Sequence, residues 1–178
     1  MSELLTLLVG CALANNIVLT KGFSSVNCLS VDSKKILRTG LFIGLVMVVS
    51  SVICFPLQQY VIAKVNLSYL QNLIYVAVIV AVSAICTVAL KRCKRTFILT
   101  VFNSALLACC LLNTANAYTF VEMLFATVGT ALGLLVSMYL YNGAISRVRE
   151  DAVVGCFKGL PIKVLTLAIV VLSIMAFK

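Results

Sequence analysis

Six apolar stretches, separated by short polar or basic connections, leave this 178-residue chain few ways to fold. They run over roughly 3–20, 39–63, 69–90, 96–115, 119–143 and 160–177. A helix of about 20 apolar residues crosses the hydrocarbon of a bilayer, so most of these stretches match a transmembrane helix in length. Hydrophobic residues make up 63% of the chain, which excludes an ordinary soluble domain and leaves no room for a separate catalytic one. The third stretch is rich in valine and isoleucine, a composition that in water favours strand. Its length and lack of alternation predict a helix instead. The expectation is one all-α integral membrane domain over 1–178. The first stretch does not read as a signal peptide. It begins with Glu3 rather than a basic cluster, and Asn15, Asn16 and Lys21 stand where a small-residue cleavage site would fall.

The net charge of +9 raises nucleic acid as a partner, but its distribution points to a membrane. With six spans, one side of the bilayer receives Lys21, Lys34, Lys35, Arg38, Lys91, Arg92, Lys94, Arg95, Arg147, Arg149, Lys158 and Lys163. The other side receives Lys64 and Lys178. Basic residues concentrate in cytoplasmic loops, so this asymmetry predicts a multi-pass protein with both termini outside the cytoplasm. The lysines and arginines set topology, and no nucleic-acid partner is expected.

Two polar dyads interrupt the apolar stretches: Asn15-Asn16 in the first and Asn103-Ser104 in the fourth. An amide in hydrocarbon is costly unless hydrogen-bonded, so its presence there serves packing or function. The flanking strings, Asn16-Ile17-Val18-Leu19 and Asn103-Ser104-Ala105-Leu106-Leu107, suggest an internal duplication. The repeats cover about 1–92 and about 93–178, with three helices in each. An odd number of spans inverts the second repeat relative to the first, an arrangement that places broken helices at the midplane. The run from Gly22 to Cys28 is polar enough for a broken or re-entrant segment. Gly40/Gly44 and Gly129/Gly133 are small-residue faces suited to close helix contact, within the chain or with a partner. Pro56 is expected to kink or end the second helix.

The residues give little sign of a self-contained enzyme. There is no histidine, and the five acidic residues offer no clear mid-membrane acid or base. None of the eight cysteines falls in a familiar zinc spacing. Cys11, Cys54 and Cys86 lie in apolar stretches, where a thiol packs as a small hydrophobe.

Four strings, taken in order, resemble one known family: Ala14-Asn15-Asn16-Ile17-Val18-Leu19, Asn66-Leu67-Ser68-Tyr69-Leu70, Ala144-Ile145-Ser146-Arg147 and Phe157-Lys158-Gly159-Leu160-Pro161-Ile162. They are similar to the small six-helix membrane subunits of the Rnf and Nqr respiratory complexes, on the side of the Rnf A subunit, whose Nqr counterpart is the E subunit. The resemblance implies a place in the bacterial or archaeal cytoplasmic membrane beside an inverted homologous subunit. It implies one [2Fe-2S] cluster shared between the two, each giving two cysteines from its broken helices. Electrons then pass between flavin- and iron–sulfur-bearing partner subunits, coupled to sodium or proton movement. Asn15, Asn16 and Asn103 would cap the broken-helix ends and orient that site.

The ligand positions of the family map unevenly onto this chain. Counting from Asn15-Asn16 without a gap, the first family cysteine falls at Val26, and Cys28 follows two residues later. The second falls at Ser104, with Cys109 and Cys110 further along the same helix. At 3.6 residues per turn those two are rotated about 140° and 240° from Ser104. The candidate cluster ligands are therefore Cys28, Ser104, Cys109 and Cys110. A family glutamate in the third helix aligns with Thr87, which removes an intramembrane carboxylate able to partner a cation or proton. These departures keep a second reading open: a non-redox membrane scaffold or small transporter on the same inverted-repeat fold.

Overall fold

The computed structural model describes residues 2–14, 16, 36–62, 68–90, 94–149 and 154–176. Asn15, Cys28 and the predicted broken stretch from Gly22 to Cys28 lie outside the described residues. Helix α1 (Ser2–Val9) widens into a π-helical turn at Gly10–Ala14. Helix α2 covers Ile36–Leu57, followed by a second π-helical turn at Gln58–Ile62. A 3-10 turn at Ser68–Leu70 leads into α3 (Gln71–Ala89). Two short helices come next, α4 (Lys94–Val101) and α5 (Ser104–Ala115). The long α6 (Phe120–Ile145), a 3-10 turn at Gly155–Phe157 and α7 (Leu160–Met175) complete the described chain, with no strand among the described residues.

Helix is the expected outcome for these apolar segments. Hydrocarbon offers the backbone no hydrogen-bond partner, so each segment must satisfy its own amides. Four segments are long and apolar enough to cross a membrane: Ile36–Tyr60, Gln71–Ala89, Thr96–Ala115 and Phe120–Ile145. Leu160–Met175 is a shorter apolar helix. Pro56 stands one residue before the α-helical part of this segment ends at Leu57 and gives way to the π-helical turn. The valine-rich third stretch is helical throughout.

Helix α6 is the hub, packed against α1, α2, α5 and α7. Its Gly129 and Gly133 receive α1: a Cβ at Gly129 would meet the Leu8 carbonyl at 2.6 Å, and one at Gly133 the Ala12 carbonyl at 2.9 Å. Its opposite side receives α2, where Gly40 admits the Leu135 side chain and Gly44 lies against Ala131. Both glycine faces therefore serve contacts within this chain. Dispersion between closely approached backbones holds such helices together where no hydrophobic effect operates between them. Ile43, Val46, Met47, Leu106, Leu134 and Met138 fill the centre between α2, α5 and α6.

The outward faces are also apolar. Leu37, Leu41, Leu45, Val49 and Ile53 form an exposed i, i+4 stripe on α2, and α3 exposes Leu73, Val76, Val80, Ile85 and Val88. In α7 the exposed Val164, Leu165, Ile169 and Leu172 leave Thr166 as the one buried residue of that helix. Apolar surface on this scale suits lipid rather than water.

Candidate functional site

The fourth apolar span is broken in its interior. Helix α4 ends at Val101, Phe102 forms a turn, and Asn103 adopts an extended conformation (φ −82°, ψ 100°) before α5 begins. The Asn103 side chain caps the new helix: its Oδ1 accepts a hydrogen bond from the Ala105 amide at 3.0 Å. Asparagine is among the best N-cap residues because its short side chain reaches an amide of the first turn. The other half of that side chain has no such outlet. Asn103 is 3% exposed, and its Nδ2 has no hydrogen-bond partner among the described residues. Ser104, next in sequence, is exposed at the start of α5.

Asn16 is 1% exposed and has a different task. Its Nδ2 donates to the Gly133 carbonyl at 2.8 Å and to the Ala12 carbonyl at 3.1 Å. The missing side chain at Gly133 is what lets this amide reach the α6 backbone. Asn16 thus ties the end of the α1 segment to the hub helix.

Cys109 and Cys110 point into the protein, away from Ser104. The Cys109 thiol lies 3.8 Å from Thr127 Oγ1, which also accepts a hydrogen bond from Asn113 Nδ2 at 3.1 Å. Cys110 lies 3.8 Å from Ser51 Oγ on α2 and packs with Cys54 and Tyr75. The structure therefore does not bring Cys109 or Cys110 to the helix break, as the helical rotation between them and Ser104 requires. Among the described residues no group of three or more histidine, cysteine or acidic side chains is arranged to hold a metal ion.

A second polar feature was not singled out by the sequence. A cavity of about 280 Å³ lies where α2 and α5 end and α3 and α6 begin. Cys54, Gln58, Tyr75, Cys110, Asn113 and Tyr118 are among its lining residues. The Tyr75 hydroxyl donates to Gln58 Oε1 at 2.9 Å and lies 2.8 Å from Thr114 Oγ1. Tyr118, in the α5–α6 connection, also lines the cavity, and burial pushes its phenol above the ordinary range. No sequence signal marks this cavity, because its residues come from four separate elements, each inconspicuous alone.

Helical packing of this kind, with apolar outer faces, a helix broken mid-span and amides in the interior, defines the class: a polytopic α-helical membrane protein. Comparison with known proteins narrows it. No family model matches the chain. Curated relatives align over nearly its whole length. The A subunit of the ion-translocating oxidoreductase complex of Syntrophotalea carbinolica is 29% identical, covering 99% of this chain and 97% of its own. The A subunit of the Na(+)-translocating ferredoxin:NAD(+) oxidoreductase complex of Acetobacterium woodii is 26% identical, covering 98% and 96%. Its counterpart in the ion-translocating oxidoreductase complex of Aliivibrio salmonicida is 27% identical, covering 99% and 97%. These are the relatives that the sequence motifs suggested: the chain is similar, end to end, to the A subunits of Rnf-type ion-translocating oxidoreductase complexes.

Proposed function

We propose that this chain is a membrane subunit of an Rnf-like ion-translocating oxidoreductase complex, where it pairs with an inverted homologue and works with flavin- and iron–sulfur-bearing partners. The observation that carries the reading is the full-length similarity to A subunits, and the broken helix at Asn103 supports it. In this reading the chain spans the membrane six times as two inverted three-helix repeats, and its basic end faces the cytoplasm. Electrons cross the bilayer beside it through a shared [2Fe-2S] centre, in step with sodium or proton movement.

The fit of that centre to the chain is uneven. The buried Asn103 Nδ2, without a partner among the described residues, would suit an electron-rich acceptor such as a cluster sulfide or thiolate. The ligating side chain on this side is the exposed hydroxyl of Ser104, because Cys109 and Cys110 are turned inward. A contribution of two thiolates does not fit the described residues. Cys28 is the thiol we propose for the centre, and Asn15, Asn16 and Asn103 the amides that shape its surroundings.

Ser104 in place of a thiol, with Thr87 in place of a carboxylate, supports the second reading of a non-redox scaffold or small transporter on the same fold. Affinity isolation of the chain from native membranes in mild detergent separates the two. Recovery with an inverted homologue and flavin- and iron–sulfur-bearing subunits is the expected result. Iron content and an electron paramagnetic resonance signal that depend on Cys28 would then tie the centre to this chain. Recovery alone, or with unrelated proteins, overturns the electron-transfer reading.

A further inference from the structure

The cavity between α2, α3 and α5 contains a pair of thiols with no part in a cluster at the helix break. Cys54 on α2 and Cys110 on α5 pack against each other with Tyr75, and both border the cavity. Cys109, one position earlier, does not border it and is turned onto Thr127. The cavity is not an apolar void. Gln58, Asn113 and the Tyr75 hydroxyl give it polar walls, and Ser51 Oγ lies 3.8 Å from the Cys110 sulfur. A buried thiol walled by hydrocarbon is inert, whereas one reached through a polar passage is open to exchange. The six described cysteines form no disulfide with one another.

We propose that Cys54 and Cys110 form a redox-active dithiol site that reacts with a small disulfide entering through this cavity. One of the two sulfurs, as thiolate, attacks the disulfide and forms a mixed disulfide, releasing one small thiol. The other then attacks the mixed disulfide and releases the second. The S–S bond of the small molecule is replaced by a Cys54–Cys110 bond. Two electrons pass to the small disulfide, and the two protein thiol protons end on the two released thiols. The product covalently joins α2 to α5, the half-span that starts at Asn103, and so fixes the helix break against the rest of the bundle. The cavity opens at the end of the bundle opposite the basic residues. On the topology proposed above, that end is outside the cytoplasm, where disulfides persist.

The test uses the full chain purified in detergent and treated with 2-hydroxyethyl disulfide. It is then blocked with an alkylating reagent, digested without reduction and mapped by mass spectrometry. The expected result is a linked peptide pair joining Cys54 to Cys110, lost on treatment with dithiothreitol and retained in Cys109→Ser. Recovery of both thiols in alkylated form, or indiscriminate pairing that includes Cys109, overturns the proposal. The wild-type map decides this even where Cys54→Ser or Cys110→Ser folds poorly. A membrane-impermeant disulfide applied to right-side-out and inverted vesicles tests the sidedness separately. Linkage in right-side-out vesicles is expected. Linkage confined to inverted vesicles would keep the dithiol site and overturn the topology.

Discussion

The two interior asparagines illustrate how one residue type does two jobs in hydrocarbon. Asn16 uses its donors to hold another helix, whereas Asn103 uses its acceptor to start one. Asn16→Ala should lose the tie to the Gly133 carbonyl. Hydrogen bonds between membrane helices contribute about 0.6–2 kcal/mol, and the expected result is a loss of that size in thermal unfolding in detergent. Asn103→Ala removes the N-cap of α5 and should cost about 1 kcal/mol. Asn103→Ser, which keeps a capping oxygen but no amide, should recover most of that loss. Equal destabilisation by both variants would show that the Nδ2 group, not the cap, holds the break. Sequence alone marked both residues as special, because amides in apolar helices are expensive. It did not reveal the partner of Asn16, which lies 117 positions away. Contacts at that separation depend on how helices dock, which no local pattern encodes. Cys28 and Asn15 lie outside the described residues, so of the predicted site only Asn16, Asn103, Ser104, Cys109 and Cys110 have a structural setting.

At the level of elements, the glycine spacings were legible as close-packing faces, but the neighbours were not. The structure assigns Gly129 and Gly133 to α1 and Gly40 and Gly44 to the other side of the same hub helix. Gly129→Ala places a methyl group against the Leu8 carbonyl, which is backbone and cannot rotate away. Overpacking of this kind costs about 1–3 kcal/mol, and the melting temperature in detergent should fall. Gly143 has nothing within 4 Å of its missing side chain, so Gly143→Ala should be neutral or gain up to about 1 kcal/mol from helix propensity. A similar loss at both positions would argue against tight seating of α1 on α6. The turn between α5 and α6 carries a different local conflict. The Tyr118 amide bonds the Asn113 carbonyl, and the Ala117 amide bonds the Thr114 carbonyl, which closes α5 in a Schellman motif. That motif favours glycine at its left-handed position, yet Ala117 occupies it at φ +49°. Relief of the Cβ clash outweighs the flexibility of glycine there, so Ala117→Gly should raise stability by up to about 1 kcal/mol in the same thermal unfolding measurement. On the far side of the turn Thr119 and Glu122, three residues apart, form a capping box. The Thr119 amide donates to Glu122 Oε2 at 2.9 Å and starts α6 sharply.

The whole molecule is organised by the bilayer, and its orientation is the most direct statement the charge pattern makes. With α4 and α5 counted as one broken span, consecutive spans from α2 onward alternate in direction. This places the start of α2 with Arg38, the start of α4 with Lys94 and Arg95, the end of α6 with Arg147 and Arg149, and the start of α7 with Lys158 and Lys163 at one end of the bundle. Glu122 lies at the other end, in the first turn of α6. Basic residues are retained on the cytoplasmic side during insertion, so that end should face the cytoplasm. Cys156 is a native probe of this arrangement. It is exposed in the 3-10 turn Gly155–Phe157, two residues before Lys158, whereas Cys54, Cys109 and Cys110 are buried. A membrane-impermeant maleimide should therefore label Cys156 in inverted vesicles and leave it unlabelled in right-side-out ones. A cysteine placed at the exposed Asn72, near the start of α3, should show the opposite pattern. Labelling of Cys156 from the outer face would reverse the whole bundle, since one rigid alternation of helices fixes every other end with it. It would also move the mouth of the Cys54–Cys110 cavity to the reducing side of the membrane, where a dithiol there would be kept reduced.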